Sequence, residues 1–125
     1  MTWEVYFFSI CNLILPILMI AIGILIRKVP PKTVNKFYGY RTKRSMRDEK
    51  SWLVAHRFYA VWVSTYGSLS LLFAIGVSFF LRNELPEVLA RVSLYVMAIE
   101  LVFLFLPILH TESMLKRFAT ESEME

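Results

Sequence analysis

A single cysteine among 125 residues leaves no partner for an intramolecular disulfide, and Cys11 lies inside an apolar run where it reads as a small packing residue. The redox compartment is therefore not written in the chain. Charge is missing from two long stretches, Val5 to Ile26 and Phe58 to Leu81. A soluble helical bundle would carry a polar stripe along each of them. No nucleophile elbow, phosphate-binding glycine loop, H-E-x-x-H or cysteine pair is present, so nothing points to catalysis and no cofactor is expected. His56 and His110 lack further cysteine or carboxylate ligands at metal spacing, so ordinary hydrogen bonds are expected of both and no metal site is assigned.

Apolar residues make up 57% of the chain and come in runs, which is unusual for a soluble domain. Each uncharged stretch has the roughly 20 residues needed to cross about 30 Å of hydrocarbon. Val92 to Leu109 is a third such run, interrupted by one acid, Glu100. The sequence predicts an all-α integral membrane bundle of three transmembrane helices in a single domain, with spans at about 5–26, 58–81 and 92–109. The first run has no basic n-region and no small-x-small cleavage site before Arg27, so it reads as a permanent span and not a signal peptide.

The basic residues sit mostly between the first two spans, from Arg27 and Lys28 through Arg57. In the 82–91 connection Arg82 and Arg91 are offset by Glu84 and Glu87. The excess of Lys and Arg places the 27–57 loop in the cytoplasm, with the N-terminus and 82–91 outside and the 110–125 tail inside. Ten cations in such a loop imply contact with anionic headgroups of the bilayer. They do not imply nucleic acid, because a loop tied to the membrane at both ends offers no scaffold for entering a groove.

Pro30 and Pro31 end the first helix, and Gly39 supplies a turn. Ser45-x-x-Asp48 reads as the start of the next helix, on which Trp52, His56 and Tyr59 share a face. The acidic end of the tail is expected to fray.

Inside the membrane, Glu100 costs at least about 2.5–3.5 kcal/mol on insertion scales and needs a place among helices. Ser93, Glu100 and Pro107 share one face of the third span; Ser9, Asn12, Pro16 and Gly23 form a stripe on the first; Gly67, Ser70, Ala74 and Ser78 form a small-residue face on the second. Bringing these together buries Glu100 against Asn12 and Ser70. The same acid could serve as interhelical glue or handle an ion, proton or ligand.

In the loop, Asn35-x-x-x-Gly39-Tyr40-Arg41-Thr42, then Ser45, then Trp52-x-x-Ala55-His56-Arg57 resembles the SdpI family of bacterial membrane proteins, in which such a pattern joins two membrane helices. Lys43 stands where many members have proline, and larger members carry additional N-terminal helices that this sequence lacks. The resemblance implies immunity to a secreted antibacterial peptide toxin and, in some members, signalling by holding a soluble regulator at the membrane; it implies no enzyme activity. By chemistry alone, Arg41 offers a planar fork for phosphate or carboxylate, flanked by the hydroxyls of Thr42 and Ser45 and the Asn35 amide. The turn could bind phosphate, face lipid or dock a protein; equally, Arg41 could pair with Asp48 or Glu49 and pin the loop. A resistance protein that engages a peptide toxin is the favoured reading, with self-association or a partner protein expected for so small a bundle. A small transporter or accessory subunit using Glu100 is the alternative.

Overall fold

The computed structural model describes residues 2–124, in which three helices follow one another: α1 (Trp3–Lys28), α2 (Glu49–Phe80) and α3 (Pro86–Met124). No strand occurs among the described residues. Each helix is long and apolar enough to cross a membrane. Most of their large apolar side chains, such as Ile10, Ile14, Leu72, Leu94 and Phe105, point outward. Hydrocarbon is the solvent these faces require.

The ends follow local chemistry. Glu4 lies in the first turn of α1, with Arg27 and Lys28 in its last, both favourable to the helix dipole. Val29 leaves the helix and the two prolines that follow bar its return. Asp48, not Ser45, caps α2: its Oδ1 accepts from the Ser51 N–H at 2.7 Å. Ser45 is held instead inside the preceding turn, where its hydroxyl has better partners. Pro86 begins α3, where its missing N–H costs nothing, so the connection from α2 is only Leu81–Leu85. The segment after His110 continues as helix to Met124, since no proline or glycine follows Pro107 and Thr111 and Leu115 are buried against the bundle.

The most extensive interface joins α1 to α2. Two glycines set its spacing. A Cβ on Gly67 would lie 2.9 Å from the Met19 Cβ, and one on Gly23 would run into the Ser64 hydroxyl with the Ala60 carbonyl 3.1 Å away. Without side chains at these points the two backbones approach closely, which in lipid is the main source of helix association. α3 lies against both, and Asn12, Ser70, Ser93 and Glu100 are all buried within the packed faces.

Candidate functional site

The loop between α1 and α2 has no regular structure, yet it is closely bonded. Asn35 folds the first part: its Oδ1 accepts from the N–H groups of Phe37 at 3.0 Å and Tyr38 at 2.7 Å, while its Nδ2 donates to the Thr33 carbonyl. The Tyr38 hydroxyl returns to the Val29 carbonyl at the end of α1, at 2.8 Å. Gly39 follows with φ of +113°, a region that side chains disfavour, and a Cβ there would collide with the His56 ring.

That close approach brings the Tyr40 N–H to His56 Nε2 at 2.7 Å. Because Nε2 accepts, Nδ1 carries the proton and donates to the Trp52 carbonyl one turn earlier, also at 2.7 Å. Trp52 donates its indole N–H to the Pro31 carbonyl at 2.7 Å. Its ring packs on His56 with centroids 4.3 Å apart. Thr42 and Ser45 close the turn reciprocally: the Ser45 hydroxyl donates to the Tyr40 and Thr42 carbonyls and accepts from the Thr42 N–H, while Thr42 Oγ1 accepts from the Ser45 N–H. Asn35, Gly39, Tyr40, Thr42, Ser45, Trp52 and His56 thus form one collar around the end of the bundle.

The collar also grips α3. The Tyr40 hydroxyl donates to Glu112 Oε1 at 2.6 Å, and Arg44 pairs with Glu112 Oε2 at 3.2 Å. The Tyr40 ring lies against Tyr59, Ala55 and Leu115, linking α2 and α3 through apolar contact as well. Glu112 is the residue that sequence reasoning missed. Its one available signal is an isolated acid a turn beyond an apolar run, ahead of Lys116 and Arg117.

Burial sets the ionisation of this layer. It pushes the His56 pKa below its usual value, so the ring stays neutral and Nε2 stays an acceptor. Burial and the neighbouring Glu112 hold the Tyr40 phenol far above its ordinary range, as a permanent donor. For Glu112 burial acts upward, but Thr42, Tyr40 and Arg44 together outweigh it and hold the carboxyl below the usual range. Asp48 is lowered by the Ser51 N–H and by Arg47.

Arg41 is the exception in the motif. It is exposed, and among the described residues it has neither an ion pair nor a hydrogen bond. The alternative pairing with Asp48 or Glu49 does not form: Asp48 serves its own cap and Arg47, and Glu49 makes no ion pair among the described residues. The Arg41 side chain instead borders a cavity of about 430 Å³ with Tyr38, Tyr59, Ile22, Leu25 and Ile108.

The intramembrane polar residues come together less completely than expected. Asn12 donates to Ser93 at 3.1 Å, not to Glu100. Ser70 Oγ and Glu100 Oε1 are buried without a partner, as is Asn12 Oδ1. Glu100 borders an apolar groove of about 410 Å³ with Cys11, Ile14, Leu15, Met97 and Leu101. His110 lies apart from His56: its Nε2 is 2.8 Å from the Tyr66 hydroxyl and its ring stacks on Trp62. No group of three or more metal-binding side chains occurs among the described residues.

A family model described as the SdpI/YfhL protein family matches residues 32–111, from just after Pro31 to the residue before Glu112. The uncharacterized protein YfhL of Bacillus subtilis (strain 168) is 56% identical over 43 residues, which is 34% of this chain and 39% of that protein. The aligned stretch thus spans about two fifths of the relative's length. No solved structure matches.

Proposed function

We infer the role of this chain from one premise: it is a membrane protein that belongs to the SdpI/YfhL protein family, which is not a known enzyme family. On that basis we propose a binding role, not a catalytic one, as an SdpI-like resistance factor of the cell membrane. The helix bundle engages a membrane-active antibacterial peptide within the bilayer, and the collar reads the state of the bundle at its end. One observation carries this reading. Six of the eight motif residues are spent on hydrogen bonds that close the loop and tie it to the end of the bundle, and Gly39 is spent on the close approach to His56, which leaves Arg41 as the motif group free to meet something else.

A collar tied to all three helices turns a wedge between any two of them into a change at the loop surface. That coupling supports a signalling role as well, in which exposed cations of the loop hold a soluble regulator. The test is deletion in the source bacterium and re-expression under challenge with membrane-active peptides. Restored survival with the wild-type chain and reduced survival with Arg41→Lys at equal membrane level is the expected pattern. Equal survival with and without the chain against every such peptide overturns the resistance reading.

A second reading rests on Glu100, whose buried oxygen without a partner opens on an apolar groove. A small transporter or accessory subunit would use that carboxyl to handle an ion, a proton or a lipid-like solute. Glu100→Gln separates the two: recognition by shape survives it, and handling that needs an ionisable proton does not.

A further inference from the structure

Arg27 and Arg57 occupy matching positions at the collar end of the bundle. Arg27 directly follows the uncharged run of α1, and Arg57 directly precedes that of α2. Both are exposed, and among the described residues neither has an ion pair. They nevertheless border the same cavity, of about 480 Å³, whose walls include Pro30, Pro31, Leu53 and Val61. No aspartate or glutamate lines it. His56 forms part of the floor, but both its ring nitrogens are engaged by backbone groups, so it neither pairs with an anion nor supplies one.

Two arginines bordering one groove repel each other unless an anion lies between them. Their depth fixes which kind. Each stands at the edge of a span, the level at which lipid phosphates lie, and Val61 carries the apolar wall one turn further into the membrane. A free anion would have no use for that wall, whereas a lipid matches both halves of the groove. We propose that this groove holds one anionic glycerophospholipid, its phosphodiester between the forks of Arg27 and Arg57 and an acyl chain lying along Val61. Arginine suits the position because its planar fork meets two phosphate oxygens in parallel. The site is distinct from the Arg41 cavity and stands whether or not the chain confers resistance to a peptide.

The experiment is a lipid titration of the purified full chain in detergent micelles, read by native mass spectrometry. Phosphatidylglycerol should bind at one equivalent, well ahead of zwitterionic phosphatidylcholine. Arg27→Ala with Arg57→Ala should weaken phosphatidylglycerol by about thirtyfold, taking the usual contribution of a cation near an anionic headgroup for each. Lys36→Ala with Lys43→Ala removes the same charge at the same end outside the groove and should leave binding unchanged. Val61→Trp, on a half-exposed position, keeps both arginines and narrows the groove, so it should weaken binding several-fold even if the double alanine variant fails to fold. Millimolar inorganic phosphate should not displace the lipid. Equal binding of both lipids overturns the proposal, as does equal loss in the lysine control, full displacement by phosphate, or unchanged binding in Val61→Trp.

Discussion

His56 shows how one side chain can fix a loop. Its two nitrogens face opposite demands, one accepting from Tyr40 and the other donating to Trp52, and only the neutral ring meets both. Burial lowers its pKa in the folded protein below the ordinary 6.5. The unfolded chain therefore takes up the proton first as pH falls, so stability is full above about 6.5 and declines as pH drops towards the folded value. Asp48 and Glu112 are also lowered when folded, but from ordinary carboxylate values of 3.8 and 4.5, so their contributions are lost only at lower pH. Between pH 7.5 and 5.5 the melting temperature in detergent should fall, and the fall should be smaller in His56→Gln, which has no proton to gain. An equal fall in both would place the pH dependence elsewhere. Gly39 makes a second prediction. Alanine there must hold a positive φ and press its methyl group into the His56 ring, so Gly39→Ala should cost more than the roughly 1 kcal/mol of conformational strain alone and lower the melting temperature at every pH.

At the scale of elements, the membrane helices were legible because a run without charge is a direct statement about solvent, and glycine and proline mark its ends. The family motif was legible too, as residue types at fixed spacing. Their partners were not. Asn12 and Ser93 are 81 residues apart, and Tyr40 and Glu112 are 72 apart. No local periodicity says which turn of α1 faces which turn of α3, because that register is set by packing between segments distant in sequence; Gly23 and Gly67 fix only the approach of α1 to α2. Ser45 was misjudged as a helix start for a similar reason: its hydroxyl suits a cap, but the reciprocal bonds with Thr42 win once the turn closes. The polar residues in the bundle now make unequal predictions. Asn12→Leu deprives Ser93 of its donor and should destabilise by about 0.6 kcal/mol, typical of such bonds in membranes. Glu100→Leu removes an oxygen that bonds nothing, so the melting temperature should hold or rise. A large loss of stability in Glu100→Leu would mean that the carboxyl is structural after all.

For the whole molecule, three helices joined by the long collar loop and one short turn put the start of α1 and the Leu81–Leu85 turn at one end. The collar and the C-terminal part of α3 lie at the other, where Tyr40 and Arg44 hold Glu112. Cations crowd the collar end. Arg27, Lys28, Lys32, Lys36, Lys43 and Lys50 are among them, and Lys116 and Arg117 join from α3, whereas Arg82 and Arg91 at the opposite end are matched by Glu84 and Glu87. Lysine and arginine are retained on the cytoplasmic side during insertion, which predicts the collar inside and the Leu81–Leu85 turn outside. Arg27 and Arg57 would then draw on the inner leaflet, where anionic lipids hold cations near the surface at about 1 kcal/mol each. Cysteine labelling decides the orientation. With Cys11 replaced by alanine, Glu84→Cys should react with a membrane-impermeant maleimide in intact cells, and Lys43→Cys should react only after the cells are opened. Both positions are exposed, so a difference between them reports sidedness and not burial. Labelling of Lys43→Cys from outside would invert the protein. The collar would then face the side from which a secreted peptide arrives, and a cytoplasmic regulator would lose its place.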